Sequence, residues 1–145
     1  MLYCIIPLTK ILEVDLTGFI DENKEDFLIE INGLVFIGEI KGTNDNVKSK
    51  HISQLDTHYQ SFLEERTDIE ESNTKALLII NHQKNKNPDE RVSINEKQVT
   101  LAKRNKSYII ETTTLLKIFE KHLLGRLNKE KIIKLLFSGE GLLAL

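Results

Sequence analysis

The sequence predicts an α/β layer fold with a mixed β-sheet, on the strength of three observations. Asn32-Gly33 separates two apolar segments, "DFLIEI" and "LVFIGEIK". This dipeptide is the strongest short-range signal for a β-hairpin, because both turn residues must adopt positive φ. Apolar residues recur at helical spacing between Ser49 and Arg66. The segment "KALLII", residues 75–80, is a continuous apolar run, which is typical of a strand covered on both faces. A hairpin, a helix and a buried strand in this order indicate helices layered on a sheet.

The elements around these three are predicted from shorter patterns. Residues 9–20 alternate loosely and fit either a strand or a short helix. Four elements are predicted after the buried strand: a helix over 95–104, the strand "SYII", a helix from an N-cap at Thr114 to about Leu124, and a helix from Asn128 to near Gly139. No linker or repeat divides the sequence, so residues 1–145 are predicted to form one domain.

Composition and charge narrow the class of protein. The net charge is −2, so the chain is not a polycation that binds nucleic acid by charge alone. The charge is uneven, because residues 56–72 contain six acids against one arginine and residues 75–106 contain eight bases against three acids. The basic stretch is either a local binding surface or a solvated face.

Cysteine content and hydropathy bear on location. The single cysteine, Cys4, excludes an internal disulfide and fits a cytoplasmic location. No apolar run approaches the ~20 residues of a membrane span, and the N-terminus lacks the features of a signal peptide. We therefore expect no membrane association.

The register of the predicted hairpin brings three charged residues together. Counting outward from a two-residue turn at Asn32-Gly33 places Asp26 directly opposite Glu39. Lys41 lies on the same face of its strand as Glu39, because side chains alternate with period 2. Two acids and a lysine are thus predicted to converge at the end of the hairpin away from the turn.

Two interpretations of this convergence stay open. Opposed carboxylates repel each other by roughly 3 kcal/mol at ~5 Å and an effective dielectric of ~20. Lys41 or a divalent cation between Asp26 and Glu39 would offset that repulsion, and Mg²⁺ is typically held by one or two carboxylates. Alternatively, the charged side chains simply point into solvent, or a one-residue slip or a bulge breaks the pairing.

An acid at the start of one strand, followed by Glu39-Ile40-Lys41 at the end of the next, resembles the signature of the PD-(D/E)xK nuclease superfamily. The proline that often precedes the first acid of that family is replaced by Glu25. The resemblance extends to "KALLIINHQKNKNPDER" and to residues 108–116. It implies a restriction endonuclease-like fold, with an αβββαβ core and a mixed central sheet flanked by helices. The core would cover about residues 9–82, and a C-terminal strand and helices would cover about 95–138.

The resemblance also implies a function and a set of site residues. The function is metal-dependent hydrolysis of phosphodiester bonds in nucleic acid, with DNA as the favoured substrate. Asp26 and Glu39 would hold Mg²⁺ or Mn²⁺, and Lys41 would position the nucleophile or stabilise the transition state. Gln54 matches the glutamine of the Gln-x₃-Tyr motif of RecB-like nucleases, although position 58 is a histidine. Gln54 lies well off the centre of the apolar stripe of its helix, so it either flanks the site or faces water.

The remaining polar candidates each have two interpretations. His51 and His58 are interpreted as surface histidines, with a meeting beside His82 near the site as the alternative. His82 either has a function at the end of its strand or bonds to the next loop. Arg91 either contacts phosphate or pairs with a neighbouring acid, Asp89 or Glu90, and we favour the pair.

The main rival hypothesis is a domain of the same fold that has lost activity and binds nucleic acid or protein. It is supported by the net negative charge, by the short N-terminus and by the lack of a clear first-helix acid of the kind many family members have, for which Glu13 is the only candidate. A purely structural α/β domain is a third hypothesis, and whether the chain is an active enzyme is left open. The apolar C-terminal helices and the ending "GLLAL" are interpreted as core or as a surface for a homodimer or partner domain.

Overall fold

The computed structural model describes residues 6–13 and 26–145, and at residues 6 and 26 it describes the backbone alone. In these residues the chain forms five α-helices and five β-strands. They are α1 (Ile6–Leu12), β1 (Asp26–Ile31), β2 (Leu34–Gly42), α2 (Ser49–Glu65), β3 (Thr74–Asn81), α3 (Glu96–Arg104), β4 (Tyr108–Glu111), α4 (Thr112–Leu123), α5 (Lys129–Ser138) and β5 (Gly141–Leu142).

The hairpin forms as the sequence predicts. Asn32 and Gly33 have φ angles of 53° and 77°, the positive values that a tight hairpin turn requires. Strands β1 and β2 pair from Ile31 opposite Leu34 to Asp26 opposite Glu39, without a bulge or slip. The predicted register is therefore confirmed.

The sheet is mixed and follows the order of the chain, β1-β2-β3-β4-β5. Strand β1 is antiparallel to β2, and the other neighbouring pairs are parallel. Helix α2 connects β2 to β3, and α3 connects β3 to β4, as parallel neighbours require a crossover. The carboxyl ends of β2, β3 and β4 consequently lie at one edge of the sheet, which we call the carboxyl edge. The amino end of the antiparallel strand β1 lies there too.

Two hydrophobic layers cover the sheet. On one face, apolar residues of α1, α4 and α5 pack with alternate strand residues such as Phe36 and Ile79. On the other face, α2 and α3 pack with the intervening residues, including Ile37 and Leu78. Both faces of β3 are covered, which is why "KALLII" is apolar throughout.

The structure confirms some of the predicted element boundaries and corrects others. The residues of 9–20 that the structure describes continue α1, and residues 14–25 lie outside the described residues. The prediction that Thr114 caps α4 is wrong: α4 begins at Thr112, with Glu111 as N-cap, and Thr114 is buried. Asn128 does cap α5, because its side-chain oxygen accepts from the Lys131 backbone N–H at 2.9 Å. The "GLLAL" ending docks on the body as β5 beside β4.

None of the helices in the described part of the chain combines the length and apolar character needed to cross a bilayer.

Candidate active site

The Glu39 carboxylate is buried on the α2 side of the sheet. Val35 and Ile37 of β2 pack under α2, and Glu39 and Lys41 continue the same alternation toward the carboxyl edge. Glu39 is 1% exposed. Asp26 is its partner across the hairpin, as a backbone position of β1. Because the register is regular, Asp26 falls on the same alternation as Leu28, which packs under α2.

His58 is the polar partner of Glu39. Its Nδ1 lies 2.5 Å from Glu39 Oε1, and its side chain is 31% exposed. Burying a carboxylate away from water is costly unless a polar group compensates, and His58 supplies that group from α2. The interpretation of His58 as an uncommitted surface histidine is therefore wrong.

The sequence contains a signal for His58. The apolar stripe of α2 runs through Ile52, Leu55 and Tyr59, and position 58 lies three residues after Leu55 on its flank. Position 58 is also where the Gln-x₃-Tyr pattern places its last residue. Helical spacing thus points His58 at the sheet, but only the way α2 sits on β2 brings it to Glu39.

Lys41 lies two residues beyond Glu39, half-buried, beside the start of α2. Its register partner on β3 is Ile80. Burial, followed by the positive charges of Lys50, Lys41 and Lys48, lowers the pKa of His51. Lys41 therefore contributes to a positive potential at the first turn of α2.

Gln54 lies on the exposed surface of α2, one helical turn before His58. This exposure is compatible with both interpretations of Gln54, flanking the site and facing water. It lies four residues before His58, the residue of α2 that contacts Glu39.

The other histidines make hydrogen bonds within the fold. His51 is buried, and its Nδ1 accepts from the Lys48 backbone N–H at 3.1 Å, so the surface interpretation is wrong for His51 as well. His82 is buried at the end of β3, and its Nε2 lies 2.9 Å from the Val92 carbonyl oxygen. Of the two alternatives given for His82, the structure shows the hydrogen bond to the next loop.

Arg91 holds the loop that follows β3. Its guanidinium donates to Asn81 Oδ1 at 2.8 Å and to the Lys86 carbonyl at 3.2 Å. The favoured pairing of Arg91 with Asp89 or Glu90 is therefore wrong. Arg91 instead fixes the loop over the carboxyl edge.

Glu13 lies in the other helix layer. It directly follows α1, and its carboxylate is 3.7 Å from Lys129 Nζ of α5. Helices α1 and α5 pack on the face of the sheet opposite α2. The described structure thus gives Glu13 a partner away from Glu39.

The described side chains, residues 7–13 and 27–145, contain no group of three His, Cys, Asp or Glu residues arranged to hold a metal. Glu39 and His58 form a pair, and the side chain of Asp26 lies outside that set. A carboxylate oxygen and an imidazole nitrogen are both ligands for divalent ions.

Comparisons with known proteins identify the fold. No protein-family model and no curated protein matches the chain. Among solved structures, the chain is similar to the restriction endonuclease FokI, with a TM-score of 0.59 and 9% identity. The chain has a restriction endonuclease-like fold. The match covers 98% of this chain and 27% of the FokI chain, so the chain spans about a quarter of that protein's length.

The restriction endonuclease-like fold agrees with the predicted architecture of helices around a mixed sheet. Helix α1, the hairpin, α2 and β3 provide five elements of the predicted αβββαβ core. The prediction of another strand before the hairpin falls on residues 14–25, outside the described residues. At 9% identity the similarity shows the fold alone.

Proposed function

We propose that the chain is a metal-dependent nuclease domain that hydrolyses phosphodiester bonds of nucleic acid, with DNA as the favoured substrate. The observation that carries this proposal is the buried carboxylate of Glu39, opposite Asp26 and two residues before Lys41, in a restriction endonuclease-like fold. A buried carboxylate is costly unless it is paired or coordinates a cation, and a cation between Glu39 and Asp26 would supply that compensation.

The donor set fits a divalent ion. Asp26 and Glu39 would hold Mg²⁺ or Mn²⁺ through carboxylate oxygens, the ligands that these ions prefer. An ion bound there lowers the pKa of a coordinated water and neutralises charge on a phosphate. Glu39 is well suited to this role because the packing of β2 under α2 fixes its position.

Lys41 and Gln54 would act on the substrate side of the site. Lys41 would orient the attacking water by donating a hydrogen bond to it from the ammonium, or stabilise negative charge that develops on the phosphate. Its half-buried position strengthens its electrostatic effect relative to a fully solvated lysine. Gln54, exposed one turn before His58, would contact the substrate with its amide.

Charge at the carboxyl edge supports nucleic acid as the partner. Residues 41–50, from the end of β2 to the first turn of α2, and residues 82–93, after β3, lie there, and together they contain six lysines and arginines against three acids. The two loops are joined by backbone hydrogen bonds from Gln83 to Asp45 and from Lys84 to Thr43. A basic surface beside the site attracts the phosphate backbone.

The alternative is a domain of this fold that binds nucleic acid or protein without cleaving it. The contact between His58 and Glu39 favours it, because the imidazole occupies one side of the carboxylate. The position of Glu13 beside Lys129 also favours it, because the first helix then supplies no acid to the site.

The decisive experiment is cleavage of supercoiled plasmid DNA in Mg²⁺ or Mn²⁺ by the wild type, Lys41→Ala and Lys134→Ala. We expect Lys41→Ala to lose about 100-fold or more of the rate, the loss typical of a group that stabilises transition-state charge. Lys134, exposed on α5, is the matched control and should retain full activity. DNA binding without cleavage by the wild type would instead establish the inactive module.

We further propose a cytoplasmic location, on the basis of the single cysteine, and a homodimer or partner domain at the C-terminal helices. Leu116, Leu123 and Leu124 are more than half exposed in and just after α4, which supports a partner on this surface. Light scattering of the purified chain measures its mass in solution. A monomeric mass would exclude the homodimer and leave a partner domain as the occupant of this surface.

A further inference from the structure

We propose that His58 is a protein ligand of the divalent ion held at Glu39, and that its imidazole makes the site bind Mn²⁺ more tightly than Mg²⁺. This inference rests on the proposed function, because it requires an ion at Glu39. It adds a metal ligand to Asp26 and Glu39, the two acids that the resemblance to nucleases implies, and it assigns the site a metal preference.

The first argument is the geometry of the two side chains. His58 Nδ1 and Glu39 Oε1 are 2.5 Å apart, so a ring nitrogen and a carboxylate oxygen face the same small space. Glu39 is enclosed, whereas 31% of the His58 side chain remains exposed. The facing atoms, His58 Nδ1 and both Glu39 carboxylate oxygens, are buried, so an ion would reach them past the part of the His58 ring that is exposed.

The second argument is that the helix holding His58 is fixed to the sheet. Leu55 and Tyr59 on either side of His58 are buried. The Tyr59 hydroxyl lies 2.6 Å from Thr74 Oγ1 at the start of β3. The position of the imidazole is thus set by packing, as ligand groups of metal sites require.

The third argument is the chemistry of the ligands. Mg²⁺ prefers oxygen ligands in octahedral geometry and gives up water reluctantly. Imidazole nitrogen is a ligand of first-row transition metals, among which Mn²⁺ binds most weakly, whereas Mg²⁺ is bound through oxygen ligands. A site with Asp26, Glu39 and His58 therefore offers Mn²⁺ one ligand that Mg²⁺ uses poorly.

Metal binding to the full chain tests the inference directly. Calorimetry gives the affinities for Mn²⁺ and Mg²⁺, and pulsed electron paramagnetic resonance of bound Mn²⁺ reports whether a ¹⁴N nucleus is coordinated. We expect a ¹⁴N signal in the wild type that disappears in His58→Ala. Affinity for Mn²⁺ should fall at least about 10-fold, the loss typical even of an outer-sphere partner. Affinity for Mg²⁺ should change little.

His122→Ala is the matched histidine control. His122 lies on α4, and its Nδ1 is 2.9 Å from the Leu127 carbonyl oxygen. This variant should retain both the ¹⁴N signal and the wild-type affinities. Circular dichroism confirms that each variant is folded, and His58→Asn replaces His58→Ala if the alanine variant is not.

Contrary outcomes separate this inference from the proposed function. Absence of a ¹⁴N signal in the wild type, or an equal loss of Mn²⁺ and Mg²⁺ affinity in His58→Ala, would overturn the ligand role of His58. Glu39→Gln tests the site itself and should abolish binding of both ions. If Glu39→Gln binds both ions as the wild type does, the metal site of the proposed function fails, and the inference fails with it.

Discussion

Gly38 controls how β1 lies on β2, immediately beside the pair of Asp26 and Glu39. It is the register partner of Phe27. A Cβ atom at position 38 would overlap the Phe27 ring, which lies across the glycine. The ring is nearly fully buried, so it has little room to move. The absence of a side chain at Gly38 therefore lets the Phe27 ring pack across β2 at this end of the hairpin.

We predict that Gly38→Ala destabilises the protein by about 1–3 kcal/mol, the usual cost of overpacking a core. The free energy of unfolding from urea titration measures the effect. Phe27→Leu in the Gly38→Ala background removes the ring and should recover part of the loss. Wild-type stability in the single variant would show that the ring moves freely.

Residue-level prediction from sequence succeeds where local rules suffice. The opposition of Asp26 and Glu39 follows from a two-residue turn and the alternation of a strand. The contact of His58 with Glu39 does not follow, because it depends on the rotation of α2 about its axis and its position over β2. The spacing of apolar residues along α2 does not determine how the helix is rotated or where it lies on the sheet.

Helix α2 illustrates how an element begins without a favourable N-cap residue. Its N-cap is Lys48, whose ammonium group has no acceptor for the free N–H groups of the first turn. His51, at the third helical position, accepts instead from the Lys48 backbone N–H. A protonated imidazole cannot accept this bond, so the start of α2 requires neutral His51. Burial and the neighbouring lysines lower its pKa in that direction.

We predict that His51 makes stability fall as the pH is lowered through about 6.5, the ordinary pKa of histidine. The pKa of His51 is lowered in the folded chain, so the unfolded chain takes up the proton first, and acid favours unfolding. His51→Gln keeps an acceptor that suits the third helical position and removes the titration. The difference in unfolding free energy between pH 7.5 and pH 5.5 should be smaller in the variant. An unchanged difference would contradict this account.

Element boundaries show which sequence signals are dependable. Asn128 caps α5 as predicted, because the backbone N–H of Lys131 lies within hydrogen-bonding reach of its side-chain oxygen. Thr114 does not cap α4, because β4 runs directly into that helix and the side chain of Thr114 is buried instead. Strand β5 is only two residues long, too short for any periodicity to reveal.

The molecule as a whole is electrostatically divided between the two ends of its sheet. The carboxyl edge is basic, as described above. At the opposite end, residues 64–71 contain five acids and Arg66. Arg66 lies 3.3 Å from Glu30 beside the hairpin turn, which joins this acidic segment to that end. A net charge of −2 therefore conceals a polarity that would orient the chain on a polyanion.

We predict that Lys84 and Lys86, both exposed in the loop after β3, contact nucleic acid phosphates. Alanine at either position should weaken DNA binding and reduce the slope of log affinity against log salt by about 1. Fluorescence anisotropy with a labelled duplex over a salt series measures this. Lys131→Ala, exposed on α5, is the control; an equal effect of this change would indicate that the basic edge is not the binding surface.

The layered architecture was predictable, and the assignment of helices to faces was not. A hairpin, a helix and a buried strand already define a sheet with a crossover helix. Nothing in the amphipathic patterns of α3 and α4 distinguishes the face of the sheet each will cover, because both helices present an apolar stripe of the same kind. That choice depends on how successive connections cross the sheet.

The Asn32-Gly33 turn also has a practical consequence. Six residue steps separate Asn32 from Asp26, and six separate Gly33 from Glu39, a distance of about 20 Å along the strands. Both turn residues are exposed, and a Cβ at Gly33 would meet no neighbouring atom. A fluorophore or surface tether attached at Asn32 would therefore label or anchor the hairpin at the end away from Asp26 and Glu39.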